Sequence, residues 1–123
     1  VATACGLTTL KLIQRPGFFE QLAARTQQLM NGFVRAAADA GVTLTADSEG
    51  GMFGFFFAGE LPQNYQQVMA KGTDTFNRFF HLMLDQGVYL APAMYEAGFV
   101  SAAHTEQDIA DTLAAAANAF RKL

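Results

Sequence analysis

Val42-Thr43-Leu44-Thr45-Ala46-Asp47-Ser48-Glu49-Gly50-Gly51-Met52-Phe53-Gly54-Phe55-Phe56-Phe57 contains two runs of different character, separated by glycines. The first, Val42 to Ala46, alternates with period two, as a strand half covered by a core does. Asp47-Ser48-Glu49-Gly50-Gly51 is turn chemistry. Met52 to Phe57 is a dense apolar run, short enough for a strand covered on both faces. Gly54 inside it predicts that another backbone or a ligand comes close. Two short strands about one turn predict antiparallel neighbours.

On the N-terminal side the period changes to that of a helix. Phe19, Leu22, Ala23, Leu29, Met30, Phe33, Val34 and Ala37 recur at three- and four-residue steps, which puts one apolar stripe along a long helix starting near Phe18. Gly32 interrupts it and predicts close packing there, and Gly41 is a natural C-terminal stop. Before it, Val1 to Gln14 reads as another helix, broken by Arg15-Pro16-Gly17. No starting Met and no capping residue precede it, so the chain is expected to be a piece of a longer protein.

On the C-terminal side, Tyr65 to Ala70 predicts a short helix. Phe76, Phe79, Phe80, Met83 and Leu84 form one face of another, with Thr73 or Asp74 as N-cap and Gly87 as stop. Val88-Tyr89-Leu90 and Phe99 to Ala103 predict brief strands. Thr105-Glu106-Gln107-Asp108 matches a capping box, opening a last helix whose stripe is Ile109, Leu113, Ala116, Ala117 and Phe120. The expected fold is α+β: a small, mostly antiparallel sheet of three to four strands covered by helices.

The chain has 123 residues and a formal net charge of −3, with 8 Lys and Arg against 11 Asp and Glu. This gives no cationic field for nucleic acid or an anionic membrane surface. The longest apolar run, Met52 to Ala58, is far below the ~20 residues of a spanning helix. One cysteine, Cys5, excludes an internal disulfide, fits a reducing compartment and reads as a small buried hydrophobe. Phosphate loops, paired Cys or His ligands and a serine elbow are missing. Lys11, Lys71 and Lys122 look solvated, His81 reads as a surface or packed histidine, and His104 as part of the last helix's start. Glu96 stands out. It lies in Ala91-Pro92-Ala93-Met94-Tyr95-Glu96-Ala97-Gly98-Phe99-Val100, apolar and without a neighbouring cation. A carboxylate there either points to water from a loop tip or is drawn into apolar surroundings, where it needs a partner or a proton.

Gly50-Gly51-Met52-Phe53-Gly54-Phe55-Phe56-Phe57, Phe76 through Pro92, Tyr95-Glu96-Ala97-Gly98-Phe99 and Ser101-Ala102-Ala103-His104-Thr105 with Asp108-Ile109 resemble the C-terminal portion of the glutamate-1-semialdehyde 2,1-aminomutases, a class III aminotransferase family. The resemblance covers essentially the whole chain and is most specific at Glu-Ala-Gly-Phe and Ala-His-Thr. It implies a pyridoxal-phosphate-dependent isomerase of tetrapyrrole synthesis, cytoplasmic and homodimeric. Its small-molecule substrate, glutamate 1-semialdehyde, becomes 5-aminolevulinate by transfer of an amino group between adjacent carbons. The cofactor's lysine and phosphate ligands are expected in a large domain outside this chain. Residues 1–14 would then bridge from that domain and 15–123 form the small domain, inactive alone. Glu96 matches the family's active-site glutamate, where related aminotransferases place an arginine that grips a carboxylate; no Arg lies between Arg78 and Arg121 here. A departure is Ala93, where the family often has Ser. Two other readings are the small domain of an ω-aminotransferase and a stand-alone ligand-binding or dimerisation module.

Overall fold

A computed structural model describes residues 1–123. In chain order the elements are α1 (Ala2–Ile13), α2 (Phe18–Asp39), β1 (Thr45–Glu49), β2 (Met52–Phe56), α3 (Tyr65–Met69), α4 (Asp74–Leu84), β3 (Gly98–Phe99) and α5 (Glu106–Phe120). The strands form one antiparallel sheet in the order β1-β2-β3, with α2, α4 and α5 over one face. This is the expected α+β architecture, with three strands. No helix is long and apolar enough to cross a membrane.

The hairpin turns on two residues only, Gly50 and Gly51, with Glu49 paired to Met52 and Asp47 to Gly54. Gly50 has a φ of 56°, a left-handed value that glycine adopts without a Cβ penalty. At Gly51 a Cβ would lie 2.9 Å from Leu22 Cδ2 and 3.2 Å from Val100 O, so a side chain there would crowd both. Because the turn is that short, Asp47 to Glu49 are strand rather than turn. The first strand therefore runs Thr45–Glu49 instead of Val42–Ala46. Phe53 pairs with Gly98 on the other side of β2, where any Cβ would overlap the Phe53 ring.

The core is built from phenylalanines. Phe79 stacks on Phe120 with ring centroids 4.6 Å apart and makes edge contacts with Phe33, Phe55 and Phe57. Such pairs add about 0.5–1.5 kcal/mol each beyond area burial. α2 buries Thr26, Leu29, Met30, Phe33 and Ala37. It approaches α5 closely at Gly32, where a Cβ would collide with Leu113, and α5 answers with buried Ala115, Ala116 and Ala119. At the end of α2, Gly41 N–H bonds Ala38 O at 3.0 Å and Val42 N–H bonds Ala37 O at 2.8 Å, the paired closure a left-handed glycine permits. Gly87 closes α4 the same way, through Leu84 and Met83.

Several expectations are corrected. Val88-Tyr89-Leu90 forms no strand: Val88 N–H is spent on Met83 O at 3.0 Å, closing α4. The last strand is Gly98–Phe99 rather than Phe99 to Ala103, because Ser101 to His104 already turn toward α5. Phe19, Val34 and Leu84, expected in helix stripes, are exposed. Leu113 and Ala117 are half-buried. α1 buries nothing, and Cys5 is exposed rather than packed. No backbone crowds Gly54; a Cβ there would meet only the Phe56 ring, at 4.0 Å.

Candidate functional site

Strand alternation sorts β2 into two faces. Phe53 and Phe55 point into the core, while Met52, Gly54 and Phe56 look the other way. The register places Glu49, Asp47 and Thr45 beside them. α3 and the loop before it fold over this outer face with Leu61, Pro62, Tyr65 and Val68, leaving an open cleft of about 470 Å³. Asn64 caps α3 by accepting the Gln67 N–H at 3.0 Å, which fixes that wall.

The opposite wall is the turn carrying Glu96. Glu96 N–H bonds Ala93 O at 3.1 Å. The turn is pinned on one side by Met94, which is buried, and on the other by Gly98, locked under Phe53. Between these anchors Tyr95, Glu96 and Ala97 are exposed and line the cleft. Glu96 also lines a smaller cavity of about 120 Å³ behind the turn, with Tyr89, Leu90 and Phe76. Of the two sequence alternatives, Glu96 takes the solvated one, at the rim of the cleft.

Asp47 and Glu49 share that cleft. Reading Asp47-Ser48-Glu49 as turn chemistry misses them. A Gly-Gly pair between two strand-like runs is the signal of a two-residue hairpin, which alone sets Asp47 opposite Gly54 and Glu49 opposite Met52. The lining thus combines apolar and aromatic groups with three carboxylates and no Lys or Arg, a surface that favours an ammonium group over a carboxylate or phosphate. Lys11, Lys71 and Lys122 are all outside it, as are His81 and His104. His81 is exposed on α4, and His104 joins the turn into α5. No group of three potential metal ligands occurs. A pyridoxal phosphate would find here no lysine and no phosphate cradle, only like charge. The residues of this chain do not by themselves fit that cofactor.

One displaced acidity lies away from the cleft. In the capping box of α5, the Thr105 N–H and hydroxyl both donate to Asp108, at 2.6 and 2.7 Å. These bonds hold the Asp108 carboxyl below its ordinary range, since hydrogen bonds to the charged form favour it.

Comparison with known proteins identifies the frame in which the cleft sits. A protein of Polaromonas naphthalenivorans named glutamate-1-semialdehyde 2,1-aminomutase is 64% identical over 120 residues, covering 98% of this chain and 27% of that protein. Proteins of the same name from an Acidovorax species and from Leptothrix cholodnii are 60% and 62% identical, over 100% and 98% of this chain and 28% and 29% of their own lengths. The similarity to proteins of that name runs along the whole of this chain. It spans a little over a quarter of the length of these relatives. An omega-transaminase from Sphaerobacter thermophilus shares the fold, with a TM-score of 0.76 over 94% of this chain and 26% of its own, at 21% identity. No family model matches.

Proposed function

We propose that the full-length protein is a glutamate-1-semialdehyde 2,1-aminomutase and that this chain supplies one wall of its active site. The reading rests on about 60% identity to proteins of that name along the whole chain. The carboxylate-lined outer face of the sheet agrees with it. On this reading pyridoxal phosphate is held by the rest of the polypeptide and supplies the electron sink for moving an amino group between adjacent carbons. Residues 1–14 are the bridge to that larger domain and 15–123 the small domain; the cytoplasm and a homodimer complete the picture.

Glu96 then faces the reacting ligand from the rim, backed by Asp47 and Glu49. Its charge attracts an ammonium group and repels a second carboxylate, so amine-bearing intermediates are kept and glutamate-like amino donors are turned away. Tyr95 beside it and Phe56 on the floor offer apolar contact to the carbon chain and exclude water as the larger domain closes over the cleft. Ala93 supplies no hydroxyl to this turn, so Glu96 is held by Met94 and Gly98 instead.

The test is an assay of the full-length protein for conversion of glutamate 1-semialdehyde. An enzyme that instead needs an external amine donor and a keto acceptor would overturn the isomerase reading in favour of an ω-aminotransferase.

A further inference from the structure

The segment joining β3 to α5 contains a histidine used as an acceptor. Val100 is buried, and its N–H bonds Gly51 O at 2.8 Å, extending the β2–β3 pairing by one residue. The next N–H, that of Ser101, is taken not by a strand but by His104 Nδ1, at 2.9 Å. The loop closes on itself through His104 N–H to Ser101 O at 3.0 Å and Ala103 N–H to the Ser101 hydroxyl at 3.1 Å. The capping box comes directly after it. An imidazole nitrogen accepts only while it carries a free lone pair. The bond therefore fixes the neutral form with its proton on Nε2, and a protonated ring loses it.

β3 has only two residues, so its register depends on the Val100–His104 segment beyond it. We infer that His104 is a positioning residue: through Nδ1 it clasps the Ser101 N–H, holds β3 in place, and so sets the turn that carries Glu96. Protonation of His104 opens the clasp. The titratable groups that share the groove of His104 are Asp108 and Asp111 of α5 and Tyr89 from the segment after α4. The functional half of this inference rests on the role proposed for Glu96; the structural half does not.

The experiment uses the full-length protein and two separate readouts. Amide exchange at Val100 and Ser101 is compared, after correction for intrinsic rates, in wild type, His104→Asn, His104→Gln and His104→Ala. Asparagine places its Oδ1 one bond from Cγ, as histidine places Nδ1, but does not titrate in this range. Glutamine reaches one bond further. Near neutral pH, exchange in the Ala and Gln variants rises about three- to tenfold, the range one net hydrogen bond accounts for, while Asn stays near wild type. At a pH acid enough to protonate the ring, wild type exchanges as fast as Ala and Asn remains protected. Exchange that is the same in all four proteins, or a wild type insensitive to pH, overturns the clasp. Steady-state turnover reads the second half: an acid limb present in wild type and absent in His104→Asn supports the link to Glu96. Exchange that behaves as stated while the acid limb stays identical in wild type and His104→Asn overturns that link and leaves the clasp standing.

Discussion

The two faces of β2 carry adjacent residues and behave oppositely. Phe53 and Phe55 are buried, Phe55 against Phe33 of α2 and Phe76 and Phe79 of α4, whereas Met52, Gly54 and Phe56 border an open cleft with three carboxylates on its walls. One face is filled by complementary shape. The other keeps space and charge, features that can recognise a ligand. Within five residues the sequence therefore carries both the scaffold and the site, one on odd positions and one on even.

This contrast can be broken most forcefully at the core. Phe79→Ala removes a fully buried ring that touches four others, and an unfolding midpoint in urea should fall by the equivalent of about 3–5 kcal/mol. A loss below 1 kcal/mol would mean that the phenylalanine cluster is not the scaffold. Next comes Gly98→Ala, which forces a Cβ into the Phe53 ring and is expected to cost about 1–3 kcal/mol as overpacking. Adding Phe53→Leu should return part of that loss, which a double-mutant cycle measures. Thr105→Ala, away from both faces, should cost about 1 kcal/mol as a lost N-cap.

Asp108 sets the acid behaviour of the same cap. Its pKa is lowered in the folded chain from an ordinary 3.8 by the Thr105 bonds. The stabilisation is therefore complete above the ordinary value and is lost as pH falls from there through the lowered one. Asp108→Asn should flatten the stability–pH curve below about pH 4. The smallest structural effect is expected on the outer face. Met52→Ala and Glu96→Gln should leave the unfolding midpoint nearly unmoved, within about 0.5 kcal/mol, while, on the role proposed for Glu96, Glu96→Gln in the full-length protein should relax selectivity against glutamate-like donors. Unchanged donor selectivity would remove the charge argument.

Legibility in the sequence tracks the strength of the apolar pattern. The buried residues of α2 and α4, the glycine stops at Gly41 and Gly87, the crowding at Gly32 and the capping box at Thr105 all leave periodic or chemical marks in the chain. β1 is displaced from its expected span because its outer face bears Asp47 and Glu49, so half the strand lacks apolar alternation and resembles a turn. Val88 to Leu90 has strand composition but no partner edge, a tertiary fact. Cys5 has the composition of a core residue, whereas α1 buries no residue against the rest of the chain. Glu96 is conspicuous in the sequence for its unusual company. Its apolar neighbours Met94 and Val100 turn inward and leave it at the rim, which no linear pattern encodes.

Gly98 lies flat beneath the Phe53 ring because it has no side chain to lift it. Evolution can therefore change this pair only in concert. Lineages that replace the glycine are expected to carry a small residue at position 53, and those that keep the aromatic ring there should show no drift at 98.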